Sequence, residues 1–172
     1  IEALDDYGHP HRAQSLLLEV LDRFDDPEGL LGFACRFWSR HGQWDKARSA
    51  LEKLSNQQES KVYLEAKTSY YRDNGEWRKA LEYCEKWIEQ VPFDLEAREI
   101  FLTLVARRDG QRAALKVAEK WLEEHPENDY LENMVLEQLD HLSRTDEYMD
   151  LLRVRLKRNP EDAWAWRELG HR

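Results

Sequence analysis

Glycine and proline are scarce, at 7 and 5 among 172 residues, which excludes a collagen-like or linker-rich chain. Cysteine is scarcer still. Cys35 and Cys84 are the 2 present, and with no C-x-x-C and no Cys/His ligand spacing they cannot frame a disulfide scaffold. They read as two buried thiols in a reduced protein, with a disulfide or metal site as the alternative. No apolar run approaches the roughly 18 residues of a membrane span; the densest, SLLLEVL at 15–21, is broken by Glu19. No basic-then-apolar pair of a secretory signal opens the chain. A basic excess is also missing. The formal charge of −9 disfavours nucleic acid, which needs phosphate-neutralising cations, and an anionic membrane surface. H-E-x-x-H, G-x-S-x-G and a Gly-rich phosphate loop are all absent, and His9-Pro-His11 lacks a third metal ligand. The expectation is a protein without catalytic residues, metal or cofactor, and not an enzyme.

What remains is a polar-surfaced, aromatic-rich chain: 41% hydrophobic, 35% charged and 11% aromatic, a content that needs a core. Its organisation lies in a period. Pro92, Pro126 and Pro160 are each 34 residues apart, and so are Asp94, Asn128 and Asp162, two positions after each proline. Ala80–Leu81 returns as Ala114–Leu115 and Trp87 as Trp121. Gly42-Gln-Trp44-Asp-Lys-Ala47 matches Gly75-Glu-Trp77-Arg-Lys-Ala80, and Gly8 and Ala13 keep the same spacing further upstream.

Within each unit the apolar residues recur at helical spacing. Trp77, Ala80, Leu81, Cys84, Trp87 and Ile88 make one stripe, and Ala114, Leu115, Ala118, Trp121 and Leu122 make another. Each stripe runs out at a proline, which a helix interior does not tolerate. The Asp or Asn beyond it is placed to cap the next helix. This predicts about ten helices, near 11–24, 29–41, 44–56, 60–73, 77–91, 95–108, 111–125, 129–143, 146–158 and from 163 onward. A helix pair of this kind cannot cover its own apolar face, so pairs must stack. The fold class is all-α, an α-solenoid of stacked antiparallel helix pairs. Residues 1–172 form one repeat domain, with units near 1–27 (partial), 28–60, 61–94, 95–128, 129–162 and 163–172 (partial).

This pattern resembles the tetratricopeptide repeat family. The period, the W-x-x-L-G of Trp166, Leu169 and Gly170, the G-x-W-x-x-A of Gly42 to Ala47 and Gly75 to Ala80, and the unit-ending prolines carry the resemblance over nearly the whole chain. It implies a right-handed superhelix. Some residues depart from the family pattern. Large and small are exchanged in the second helices, as Cys84 then Trp87 and Ala118 then Trp121, which conserves local volume. SNQQES replaces the proline that would close the unit at 44–60, and TDEYMDLLRVRLKRNP lacks the small alanine of the other second helices. The closing DAWAWRELGHR reads as the first helix of a further unit, so the chain is expected to be a piece of a longer protein.

The resemblance implies partner binding on a concave face lined by the first helix of each pair. On this chain the candidates are Arg36, Arg40, Arg72, Glu99, Thr103, Arg107, Tyr130, Asn133, Glu137 and Trp164. Arginine forks suit peptide carboxylates; a solvated face of mixed charge is the plainer reading of any one of these residues. A Lys/Asn clamp for a partner's C-terminal carboxylate is missing, because Gly32, Arg36, Ala66, Glu96 and Ile100 stand where it would be. Trp38, Trp44, Trp77, Trp87, Trp121 and Trp166 fall on the stripes and are expected in the core, with Trp164 and Tyr130 off them. The expected function is a non-catalytic protein–protein interaction scaffold that binds a peptide or helix of a partner protein. The alternative is a regulatory or substrate-recruiting arm of a larger enzyme. Nucleic acid and membrane are not expected partners. Self-association is expected through the face around Trp164, Trp166 and Leu169, and a cytoplasmic location is favoured.

Overall fold

The computed structural model describes residues 5, 7–24, 28–54 and 60–171. Among them are ten helices and no strand: α1 (Pro10–Arg23), α2 (Glu28–Arg40), α3 (Trp44–Leu54), α4 (Lys61–Asp73), α5 (Trp77–Gln90), α6 (Leu95–Asp109), α7 (Gln111–Glu124), α8 (Asp129–His141), α9 (Thr145–Arg158) and α10 (Ala163–His171). The helices group into two compact units, divided within α6 between Ala97 and Arg98. In the first, α2 packs on α3 and α4, and α4 packs on α5. In the second, α8 packs on α7 and α9, and α9 on α10.

The boundaries have local causes. The residues 34 apart that precede the first helices cap them: Asp94 accepts from the Ala97 N–H at 3.1 Å, Asn128 from Tyr130 and Leu131, and Asp162 from Ala165 at 3.0 Å. Ser60 continues the series 34 residues before Asp94, its hydroxyl accepting from the Tyr63 N–H at 3.1 Å. The turn joining the helices of a pair needs a left-handed residue, supplied by Gly42 (φ 67°) and Gly75 (φ 79°). In the pair α8–α9 Ser143 takes that conformation instead, at φ 55°, a region that a residue with a Cβ enters only at a cost.

First and second helices are buried differently. In α2 and α8 seven of the thirteen residues are buried, in near-continuous runs such as Leu31, Gly32, Ala34, Cys35, Phe37, Trp38 and Ser39. Only four of the fourteen residues of α5, and four of those of α9, are buried, on a single stripe. A first helix is thus covered from more than one side, whereas a second helix keeps a wet face. The exchanged pair fits as expected, since Cys84 and Trp87 are both fully buried. The two thiols are structural. Cys35 Sγ donates to the Ala66 carbonyl and Cys84 Sγ to that of Ala97, and burial pushes both pKa values up to about 12.

Close approach of the first helices depends on Gly32. A Cβ there would collide with Cγ1 of Val62, a short, stiff side chain on α4. Gly32→Ala gains about 1 kcal/mol of helix propensity and loses about 1–3 kcal/mol to overpacking. We expect urea melts to show net destabilisation with Val62 present and stabilisation in a Val62→Ala background. The same sign in both backgrounds would remove Val62 as the obstacle.

Asp94 joins a cap to an ion pair between helices, with Lys61 Nζ 2.6 Å from Oδ2. Burial works against its ionisation, but the hydrogen bonds from Lys61 and the Ala97 N–H outweigh it and hold the carboxyl below its ordinary value. Because the folded value is the lower one, this stability is present above the unfolded pKa and is lost as pH falls through the folded one. Asp94→Ala should cost about 1–2 kcal/mol near neutrality. Asp94→Asn, which keeps a cap, should cost less, and its deficit should fade below about pH 4. A deficit independent of pH would show that the charge contributes nothing.

Candidate partner-binding surface

The surface expected to take a partner lies on the first helices, so each candidate's position follows from the face of α2, α4, α6, α8 or α10 it occupies. In the first unit the three arginines already hold partners. Arg36 on α2 pairs with Glu65 on α4. Burial raises the Glu65 carboxyl above its usual range, and Arg36 offsets part of that rise. Arg40 Nη1 is 3.7 Å from Asp5, which also takes His41 at 2.8 Å. Arg72 Nε donates to Asp73 at 2.9 Å. Only the Arg36 pair joins two first helices, but at each of the three a partner carboxylate would have to compete with an internal one.

The second unit is where candidates converge. A cleft of about 370 Å³ is lined by Glu99, Thr103 and Ala106 of α6, Gln111 of α7, and Glu137 and His141 of α8. Three of the expected residues, Glu99, Thr103 and Glu137, thus share one concavity. Its walls are held by hydrogen bonds. Gln111 Nε2 donates to Gln138 Oε1 at 2.6 Å, and the Thr103 hydroxyl donates to the Glu99 carbonyl at 2.9 Å. The Glu137 carboxylate lies 3.6 Å from His141 Nε2. With two carboxylates and amide groups facing the space, the cleft suits a basic side chain or the N–H groups of an extended backbone. His141 stands one turn beyond Glu137 on the same face of α8, as first-helix spacing implies, whereas Gln111 belongs to a second helix and no first-helix spacing points to it.

Other candidates are used internally or stand apart. Asn133 Oδ1 accepts from Arg155 Nη1 at 2.8 Å, and the Arg155 guanidinium lies over the Trp164 ring at 4.9 Å. Both residues therefore pack against an arginine that is itself buried. Tyr130 is exposed at 61%, and Arg107 is exposed without lining the cleft. Among the tryptophans expected in the core, Trp38 and Trp87 are buried and Trp44, Trp77 and Trp121 are half-buried. Trp166 requires a correction: it is not a core residue but is 57% exposed. Helix α10 packs on α9, the Trp166 side turns outward, and its indole N–H donates to the Pro160 carbonyl at 2.8 Å. Among the described residues no cluster of His, Cys, Asp or Glu could hold a metal ion, and no helix is long and apolar enough to cross a membrane.

No protein-family profile and no curated protein sequence matches the chain. Solved structures do. A tetratricopeptide repeat protein of Parabacteroides merdae matches over 98% of this chain and 67% of its own, with a TM-score of 0.58 and 19% identity. A thermophilic protein of the same repeat type from Thermus thermophilus matches over 98% and 93%, with a TM-score of 0.59 and 16% identity. A chain of a Naa15/Naa10 structure bound to HypK-THB matches over 97% of this chain but only 37% of its own, with a TM-score of 0.57 and 11% identity. Identities this low speak to fold. The chain is a TPR-like helical-repeat protein of the all-α solenoid class.

Proposed function

We propose that the chain is a non-catalytic protein-interaction scaffold that docks a peptide or helix of a partner protein on its first-helix face. The observation that carries this reading is the cleft of about 370 Å³ in which Glu99, Thr103 and Glu137 come together. Three features support it. The cleft is lined mainly by first-helix residues, which the resemblance to the repeat family implies for ligand contact. The Gln111–Gln138 bond ties α7 to α8 across one wall, so that part of the cleft is set before binding. Its carboxylates favour a segment carrying Lys or Arg. A fold neighbour occurs in a structure with a bound protein, HypK-THB, which is in keeping with a scaffold role.

Selection of peptides from a displayed library against the chain tests this. We expect enrichment of sequences rich in Lys and Arg. A chosen peptide should bind Glu99→Lys/Glu137→Lys at least about tenfold more weakly, a loss of about 1.4 kcal/mol or more. Both residues sit on exposed helix faces, so the variant should keep the parental melting temperature. No enrichment, or equal binding by both proteins, would contradict the reading.

A further inference from the structure

The repeat allows one cleft to be compared with its own counterpart. Between successive second helices, above the first helix they flank, each compact unit has an outer cleft, and the two clefts are built from residues in matching positions. In the first unit the cleft lies between α3 and α5 over α4, measures about 330 Å³ and is lined by aromatic and cationic side chains. Lys67 Nζ is 5.5–5.6 Å from the ring centres of Tyr63, Tyr71 and Tyr83. Tyr71 and Tyr83 stack at 5.5 Å, and Lys79 and Lys86 lie over them at 5.1 and 5.3 Å. Cation–π contacts and stacked rings give that cleft a basic, aromatic wall.

Two repeats further on, 68 residues in every case, Lys67, Tyr71, Tyr83 and Lys86 are replaced by Val135, Leu139, Leu151 and Val154. The cleft there has an aliphatic floor instead of an aromatic and cationic one. It is a groove of about 460 Å³ between α7 and α9 over α8, within the roughly 300–1,000 Å³ range of ligand clefts. Val154 on its edge is 55% exposed. A rim of carboxylates surrounds this apolar floor. Glu119 and Glu123 stand on α7, and Glu147 replaces Lys79 on α9. Neither Glu119 nor Glu123 has an ion-pair partner among the described residues, whereas Glu147 is held by Arg144. The rim's one cation among the described residues, Arg158, is neutralised by Asp129 at 2.8 Å and Glu132 at 2.6 Å.

We infer that this outer groove is a second docking surface, distinct from the Glu99–Glu137 cleft, and that its occupant is an amphipathic helix with an aliphatic face and basic flanks. The aliphatic face covers Val135, Leu139, Leu151 and Val154, and the basic flanks meet Glu119 and Glu123. A helix fits because the floor is a trough between two helices, and apolar residues at i, i+4 and i+7 spacing enter such a trough in one row. The charge rule is set by the rim. An acidic helix would meet carboxylates on α7 that have no ion-pair partner among the described residues, so it is selected against while a basic one is favoured.

Two short synthetic helical peptides test the assignment, each with leucines at i, i+4 and i+7, one flanked by lysines and the other by glutamates. Methyl resonances of the full chain are followed during titration, and affinities are measured by fluorescence anisotropy. The lysine-flanked peptide should shift the methyls of Val135, Leu139, Leu151 and Val154 and bind at least about tenfold more tightly than the glutamate-flanked one. Val154→Glu, at an exposed position that leaves folding intact, should weaken it by a similar factor, and Glu99→Lys/Glu137→Lys should not. Equal affinities for the two peptides would overturn the proposal. So would methyl shifts confined to Leu102 beside Glu99, or a concentration-dependent dimer abolished by Val154→Glu, which would make the groove a self-association surface.

Discussion

A helix pair in this chain has more apolar surface than it can cover by itself, and that deficit organises everything else. The first helices show it most clearly. Buried residues on α2 and α8 run almost without a break, so no single partner helix could cover them. Cover has to come from the next pair as well as from within the pair, which is the nearest-neighbour stacking that defines a solenoid. Second helices carry one buried stripe and one wet face. From this inequality follow the small residues at close approaches, such as Gly32 against Val62 and the fully buried Ala47, Ala80 and Ala114. The position of surface chemistry follows too: outward-facing positions are released from packing and are free to differ from unit to unit.

Charge is used within this frame in two ways. Some carboxylates are structural. Asp94 caps α6 and binds Lys61, while Asp162 caps α10 and takes Arg155 Nε at 2.7 Å. Glu132, only 1% exposed, is buried with Arg158 on it, and such a pair is costly to break by removing one partner. Other carboxylates face open clefts. Glu99 and Glu137 look into one, Glu119 and Glu123 border another, and these are the groups a partner would meet.

Much of the fold was legible in the sequence because it rests on local, periodic causes. Prolines, capping residues and apolar stripes recur every 34 residues, and the helices end within about two residues of where those signals put them, apart from the expected end of α3 at residue 56, which lies outside the described residues. The site was less legible. The resemblance to the repeat family implied Glu99, Thr103 and Glu137 as lining residues, but nothing local announced that Asn133 and Trp164 would pack on Arg155. Arg155 stands 34 residues after Trp121 and 68 after the fully buried Trp87, so its guanidinium brings a charge to a position where the repeat elsewhere packs an indole, and it draws polar neighbours to it. Trp166 was misjudged for a related reason: a stripe tells which residues share a face, not whether a neighbour covers that face. The contrast between the two outer clefts was present in the letters as Lys67 against Val135 and Tyr71 against Leu139, but it gains meaning only once the helices that flank them are known.

If the helix pair is the unit of structure, the chain should tolerate removal of one complete repeat better than removal of half of one. The direct measurement compares a deletion of residues 61–94, one full 34-residue period, with a deletion of residues 61–77, half of it. Circular dichroism and thermal melting would be followed for both. Retained helicity per residue and a cooperative melt after the full deletion, with both lost after the half deletion, is the predicted result. Equal damage from the two, or survival of the half deletion alone, would contradict the claim that pairs stack as interchangeable units.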